Sequence, residues 1–576
     1  MTNQIRQSEA LLSARNDYRW RSRAVVFLFF LAFVALIGRA LWIQGLNSSF
    51  YISHGRSRTE RRTLLVAPRA RIVDRNGNVL AISEPVYDLW VDPKFFVNAS
   101  LDQIRFLAIA LSVSQARISQ YQHEQSRFIY LKRTVATEQA LELLAEHIPG
   151  VYGLKNEKRY FPEGKLAAQV VGIAGRAGNG EEGVELAANG RLRSKSETRT
   201  VTVDRLGNVV ADPEYRGLPV PPSDVVLSID RNVQRMAFDA LSTGVEKSKA
   251  KAGCAAVIDT NTGEILALVN LPTFDPNAPS ADGLSPLRNR ALTDAFEPGS
   301  TIKPIVVALA LDKGIIGTNT RFDTSPGVLH FHGSTIHDTS NHRVITTSEI
   351  IAKSSNIGMA KISERIPNEL MWNNFRDFGV GTPPLRGFPG VTAGVLRPPN
   401  QWHPIEKATM AYGYGLSVSL IQLAGAYQVL ANDGIKLPLS IYHRKFVTQG
   451  VRIIASKTAK SVQRMLESAV EPGGTAAIAR LSDFRVGAKT GTARKFNGEG
   501  YASGQYFALM VGIAPMSAPQ IVVAIMIDTP RRGSFYGAAV AGPIFSEITS
   551  GVLGYLKTIP DHNGSSTMSS RIAFKR

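Results

Sequence analysis

One apolar run constrains this chain more than anything else in it. Residues Ala24–Leu46 read AVVFLFFLAFVALIGRALWIQGL, 23 residues with a single charge, Arg39. At ~1.5 Å per residue a helix over this run reaches about 35 Å, enough to cross the hydrocarbon core of a bilayer. No second run of that kind follows, which excludes a polytopic membrane protein. Arg6, Arg15, Arg19, Arg21 and Arg23 precede the run against Glu9 and Asp17, a bias that predicts a cytoplasmic N-terminus. Arg56, Arg58, Arg61 and Arg62 follow it, but long domains translocate largely regardless of such charge. The run is long for a cleaved signal peptide and ends without a small-x-small site. An uncleaved anchor over 24–46 behind a short tail, 1–23, is the expectation. Arg39 is explained by snorkelling or by a polar contact with a partner membrane helix.

The 530 residues beyond the run exceed one ordinary domain. Their composition is globular: the whole chain is 44% apolar and 20% charged, which excludes global disorder. A single cysteine excludes a disulfide framework and a zinc ribbon. The net charge of +19 is shared almost equally by the two sides of residue 222. Nucleic-acid binders concentrate such charge on one face or tail, so the excess reads as a basic surface suited to an anionic polymer or membrane.

Residues 47–222 are mixed and irregular. RIVDRNGNVLA (71–81) reads as strand, Asn-Gly turn, strand, and TEQALELLAEHI (137–148) as an amphipathic helix. The proline-rich Gly217–Pro222 marks the expected boundary with a second module, 223–559, and 560–576 read as a polar tail. The second module has strands at both ends: GCAAVIDT (253–260) and EILALVN (264–270) as a hairpin, then FRVGAKTGTAR (484–494), YFALMVGIA (506–514) and IVVAIMID (521–528). Helical patterns such as 301–314 and 419–434 lie between. This order predicts an α+β fold, one antiparallel sheet flanked by helices, on an irregular, mainly β pedestal.

Three short motifs fall in this module. Ser300 and Lys303, in EPGSTIKP, are three apart on the first turn of an apolar helix and share a face. A serine is a weak nucleophile until a base takes its proton. No histidine in HFHGSTIHDTSNH (330–342) has a spacing that ties it to Ser300. Lys303 can serve once burial and a second cation, Lys489, lower its pKa. A second Ser-x-x-Lys, Ser248–Lys251, lies in a lysine-rich turn with no apolar helix behind it. Ser354-Ser355-Asn356 reads either as a helix N-cap or as a second polar cluster. Lys489-Thr490-Gly491-Thr492 lies in a strand, with Gly491 where another backbone comes close. If that strand is an edge, it can bind a peptide by strand addition, and the N–H groups of Ser300 and Thr492 can hold an oxyanion. Cys254, in an apolar strand, reads as a buried small hydrophobe. The Gly/Pro-rich loop 387–402 is expected to rim the site.

Taken in order, S-x-x-K, S-x-N and K-T-G resemble the penicillin-binding serine acyltransferases. EPGSTIKP and 408–434 are similar to class B penicillin-binding proteins of the FtsI-like division type. So are the pedestal segments RARIVDRNGNVLA (69–81), RYFPEGKLAAQVVGIAG (159–175) and GVEL (183–186). Two positions depart from the family pattern: Ala488 precedes Lys489, and Ala70 follows Arg69 where glycine is common, so the turn there is expected to differ. The resemblance implies a peptidoglycan D,D-transpeptidase that cross-links D-Ala-D-Ala stem peptides through a Ser300 acyl-enzyme and binds β-lactams, without cofactor or metal. It implies Lys303 as base, Ser354 as proton relay tuned by Lys489, and Asn356 holding Lys303 or the substrate amide. Thr490, Gly491 and Thr492 would form the carboxylate-binding strand. It further implies the bacterial inner membrane, a periplasmic catalytic module, septal wall synthesis, and a SEDS-family glycosyltransferase with other divisome proteins as partners. An elongation-type transpeptidase, a β-lactamase or carboxypeptidase, a penicillin sensor and a non-catalytic scaffold are the alternatives. No bifunctional class A glycosyltransferase signature is present.

Overall fold

The computed structural model describes residues 2–65, 68–175, 178–193, 197–203, 209–211, 222–278, 285–446, 448–496, 498 and 500–562. The boundary segment expected at Gly217–Pro222 lies outside them except for Pro222, as does the tail from 563 on. Two compact units divide the chain, residues 1–67 with 194–220, and 68–193 with 221–576.

In the first unit a helix over Thr2–Leu41 continues as a π-turn, Trp42–Leu46, and a second helix covers Ser48–Thr59. The stretch Arg19–Leu46 is long and apolar enough to cross a membrane and is unburied in the protein. Strands Glu60–Leu65, Glu197–Val203 and Val209–Ala211 form an antiparallel sheet in that order.

The second unit begins with strands β1 (Ile72–Val73), β2 (Val79–Val91), β3 (Ile129–Ala136) and β4 (Val151–Tyr160). The 71–81 reading holds: β1 and β2 pair antiparallel across a turn in which Gly77 takes φ +86°. The Asp74 carboxylate accepts from the backbone N–H of Asn76 and Asn78 and fixes that turn. β3 and β4 both pair with β2, and the helix expected over 137–148 spans Thr137–Ala145. Strand β5 (Val225–Val226) lies parallel to β1 and leads into the second module. The three resemblance segments of the pedestal meet at Glu185. Arg69 Nε donates to Oε2 at 2.6 Å and Arg159 Nε to Oε1 at 2.7 Å. Ala70 is buried without positive φ, and its N–H reaches Leu192 O at 2.9 Å.

The second module contains helix α1 (Arg231–Ser248), strands β6 (Ala252–Asp259) and β7 (Ile265–Leu271), then helices α2 (Lys303–Asp312), α3 (Thr347–Lys353), α4 (Asn356–Glu364), α5 (Asn368–Asp377) and α6 (Leu420–Ala431). Strands β8 (Gly487–Phe496), β9 (Tyr501–Ala514) and β10 (Ile521–Asp528) and helix α7 (Gly537–Tyr555) complete it. The sheet order is β7-β6-β10-β9-β8, antiparallel throughout, so β8 with Lys489 is an edge. Alternation along β6 explains the layering. Ala255 and Val257 pack with α1 and α7 on one face, while Cys254, Ala256 and Ile258 pack with α2, α4 and α6 on the other. Cys254 is the expected buried hydrophobe, and burial pushes its thiol up. Ser248 closes α1 and donates back to Gly244 O at 2.6 Å, a helix end with no apolar helix behind it.

Candidate active site

Ser300 lies in a single 3-10 turn, Gly299–Ile302, that feeds α2 rather than opening the α-helix itself. Gly299 has φ +53°, which a side chain would strain. Its N–H donates to Gly413 O at 3.0 Å, and a Cβ on Gly413 would lie 2.0 Å from Gly299 O. The 408–434 segment therefore packs its Tyr-Gly-Tyr-Gly turn directly on the nucleophile turn. Glu297 Oε1 accepts from Gly415 N at 2.7 Å and from Tyr501 Oη at 3.2 Å. Burial raises the Glu297 carboxyl. Phe296 and Val418 exchange backbone bonds of 3.0 and 2.9 Å, so the turn is held from both sides.

Lys303 is fully buried one turn on. Its ammonium donates to Asn356 Oδ1 at 2.8 Å, Ser354 O at 2.6 Å and Ser354 Oγ at 3.2 Å. Burial first, then the like charge of Lys489, hold its pKa well below the usual lysine range, and Asp338 opposes the shift. The two readings of Ser354-Ser355-Asn356 are both realised, by different residues. Ser355 N-caps α4, its Oγ accepting from Gly358 N at 2.9 Å. Ser354 closes α3 in the left-handed region, φ 60°, which leaves its hydroxyl toward Lys303.

Lys489 is fully buried on β8, and burial lowers its pKa to about 7. Its Nζ reaches Thr475 Oγ1 at 3.5 Å and Thr490 O at 3.2 Å. A Cβ on Gly491 would stand 2.9 Å from Thr301 Cγ2 and 3.0 Å from Pro298 O, the close backbone approach its sequence position predicts. Thr492 Oγ1 accepts from Gly537 N at 3.0 Å, and its own O–H stays available to an acceptor.

Sequence reasoning missed Asp338. Its Oδ2 accepts from Ser355 Oγ at 2.5 Å, and its Oδ1 from Asn356 N at 2.5 Å and Ile357 N at 3.1 Å. Asn356 Nδ2 in turn donates to His337 O at 3.0 Å. A carboxylate 17 and more residues ahead of the helix it caps lies outside any local capping pattern. The histidine-rich segment thus contributes a carboxylate and a carbonyl, and no imidazole to Ser300. Among the described residues no cluster that could hold a metal is present.

Comparison with known proteins agrees with this geometry. The penicillin binding protein transpeptidase domain matches residues 253–550, and the penicillin-binding protein dimerisation domain matches 64–227. The chain belongs to the penicillin-binding protein transpeptidase family. It is 39% identical over 535 residues to the probable peptidoglycan D,D-transpeptidase PenA of Neisseria gonorrhoeae, covering 92% of this chain and 91% of that one. It is 34% identical over 554 residues to the peptidoglycan D,D-transpeptidase FtsI of Escherichia coli K12, covering 95% and 93%. The apo structure of the TP domain of penicillin-binding protein 3 from Burkholderia pseudomallei superposes with a TM-score of 0.54 at 45% identity, covering 58% of this chain and 97% of that one.

Proposed function

We propose that this chain is a serine-type peptidoglycan D,D-transpeptidase whose nucleophile is Ser300. The observation that carries the reading is Lys303: a fully buried amine, its charged form disfavoured, three residues from a serine on a rigid turn and facing Ser354. Lys303, neutral when attack begins, takes the Ser300 proton. Ser300 Oγ bonds to the penultimate D-Ala carbonyl of a stem peptide. The N–H groups of Ser300 and Thr492 receive the oxyanion. As the bond to the terminal D-Ala breaks, the proton passes from Lys303 through Ser354 to the leaving amine. An acceptor amine then attacks the acyl-enzyme and returns its proton by the same route, which restores Ser300. Asn356 holds Lys303 in place. Lys489 tunes Ser354, Thr490 and Thr492 on the edge strand take the terminal carboxylate, and Gly491 lets the strand approach the turn. A β-lactam enters the same cycle and stalls at the acyl stage.

The septal role belongs to the same proposal and is supported by the FtsI relatives. So do an uncleaved anchor over Ala24–Leu46, a cytoplasmic N-terminus and a periplasmic catalytic module. The pedestal (47–222) and catalytic (223–559) division, a SEDS-family glycosyltransferase and other divisome proteins complete it. The test is intact mass after benzylpenicillin, with Ser300→Ala alongside. A stable adduct lost in the variant is expected. An adduct that persists in Ser300→Ala overturns the mechanism, and one that turns over within minutes favours a hydrolase. Depletion of the protein in cells that then grow as smooth filaments supports the septal role; rounding instead supports elongation.

A further inference from the structure

Away from Ser300 the catalytic module holds a second cleft, a cavity of about 740 Å³ between the end of α5, the loop 379–388, the base of α6 and residues 436–453. That is the size of cavities that hold small ligands. Its walls are apolar, with Phe388 and Leu439 among them, and its charge is one-sided. Arg376, Arg386, Lys436 and Arg444 line it against one carboxylate, Asp377. These four cations come from three stretches of chain: the end of α5, the loop after it and residues 436–453.

They differ in how far the fold already uses them. Arg444 is tied down by bonds to the carbonyls of Thr262, Pro438 and Leu439. Lys436 is half-buried and donates to Asp377 O at 2.7 Å, which caps the end of α5. An ammonium has three N–H bonds, so that cap leaves two for the cavity. Among the described residues Arg376 and Arg386 form no ion pair and both are exposed, but the Arg376 guanidinium lies over the Trp372 ring, 4.9 Å from its centroid. The helix cap accounts for one N–H of Lys436 and the Trp372 ring for one face of Arg376; neither contact involves Arg386. Guanidinium and ammonium groups lining one largely apolar cavity suit a carboxylate or phosphate on an apolar body.

The cleft is also wired to the nucleophile. The Gln422 side-chain amide donates to the carbonyls of Gly379 and Thr382, both at 3.0 Å, and of Ala393 at 2.8 Å. Two residues on, Val395 exchanges backbone bonds with Ser417 at 2.9 and 3.0 Å. The next residue, Val418, pairs with Phe296, four residues before Ser300. The loop expected to rim the site therefore also supplies Phe388 to this cavity and continues, bond by bond, to the Ser300 turn.

We propose that this cleft is an effector site for an amphiphilic anion, an apolar body bearing a carboxylate or a phosphate, and that its occupancy is felt at the Ser300 turn. The binding half is independent of the reading of Ser300; the rate half rests on it. The test uses the full chain in zwitterionic nanodiscs and 19F NMR of 4-(trifluoromethyl)phenylacetate, with the matching acetamide as neutral isostere, a benzylphosphonate analogue, and empty discs as blank. Saturable broadening with the acid or the phosphonate at least tenfold tighter than the amide is expected. The better of the two anions assigns the source, peptide carboxylate or lipid phosphate. Lys436→Gln with Arg386→Gln lowers that affinity at least tenfold and leaves the benzylpenicillin acylation rate without probe unchanged, which also certifies folding. Saturating probe changes that rate at least twofold in the wild type and not in the double variant. Equal binding of acid and amide, or undiminished binding to the double variant, would overturn the site. Binding with no change in acylation rate overturns the coupling.

Discussion

Two buried clusters in the same compact unit each bring a pair of basic side chains together, and they are built to opposite ends. In the pedestal, Arg69 and Arg159 take one oxygen each of Glu185, which is itself fully buried. In the catalytic module Lys303 and Lys489 are equally buried, but their partners are hydroxyl, amide and carbonyl oxygens; among the described residues neither lysine has a carboxylate in contact. A buried cation beside a carboxylate keeps its charge and joins distant segments. A buried cation without one is held nearer to its neutral form, and a neutral amine is a base. The difference between a clasp and a catalytic centre here is one carboxylate.

The comparison breaks most visibly at Lys303. Replacing Lys303 by Met removes the base, and benzylpenicillin acylation should fall by about 10²–10⁴-fold. Its three hydrogen bonds and its desolvated charge are lost together, and these oppose one another, so stability should move by about 1 kcal/mol or less. Stopped-flow acylation and a thermal melt on the same sample measure both. A melting point that collapses with the activity would make Lys303 part of the scaffold instead.

Glu185→Gln runs the opposite way. It leaves two buried guanidinium groups without the carboxylate they share, with only Glu157 among the described residues nearby to offset them, and should cost about 3–5 kcal/mol of stability. The acylation rate at a temperature where the protein stays folded should change less than about threefold, since Ser300 and Lys303 make no contact with the clasp. Denaturant midpoints and acylation rates together decide this. A large rate loss in folded protein would mean the clasp also shapes the catalytic turn.

How legible each cluster is in the sequence follows from how local its geometry is. Ser300 and Lys303 share one turn, so their spacing alone puts them together. IVVAIMID is strand Ile521–Asp528 as read, and β8 is the edge on which strand addition depends. The clasp was legible only as three resembling segments, because Arg69 and Glu185 are 116 residues apart and no periodicity couples them. Asp338 has no local signature for the same reason: the helix start it caps lies 17 and more residues further on. The hold of Glu297 on Gly415 spans 118 residues and has no local signature either. The spacing of Ser300 and Lys303 predicts the start of an α-helix, whereas a 3-10 turn, Gly299–Ile302, comes first, opened by Gly299 at positive φ.

Asp338 is the intermediate case, a carboxylate near Lys303 that makes no hydrogen bond to it. It is bonded to Ser355, Asn356 and Ile357 and acts on Lys303 through space. Asp338→Asn should cost about 1–3 kcal/mol, since one carboxylate accepts three bonds there. Its charge raises the Lys303 pKa, so removing it lowers that pKa further. Neutral Lys303 then persists to lower pH, and the acid limb of the acylation profile should move down. A downward limb in Asp338→Asn with an unmoved limb in Glu185→Gln would confirm that charge near the lysine, and not burial elsewhere, sets the base. An upward limb would reverse the assignment.

The smallest effect tests the same contrast through stability alone. Lys489 titrates at about 7 when folded, against an ordinary 10.5. Between these values the unfolded chain binds a proton that the folded chain does not, so stability rises with pH across that window and is flat below it. The gain is at most about 1.4 kcal/mol per pH unit from one such group. Lys303, shifted in the same direction, adds to it. Denaturant midpoints at pH 7.5 and 8.5 should therefore rise in the wild type and rise less in Lys489→Met. Removing the clasp carboxylate should leave this increment in place, because it arises from cations that lack a partner. If the two variants lose the same increment, the buried lysines are charge-compensated after all, and the contrast between the clusters fails.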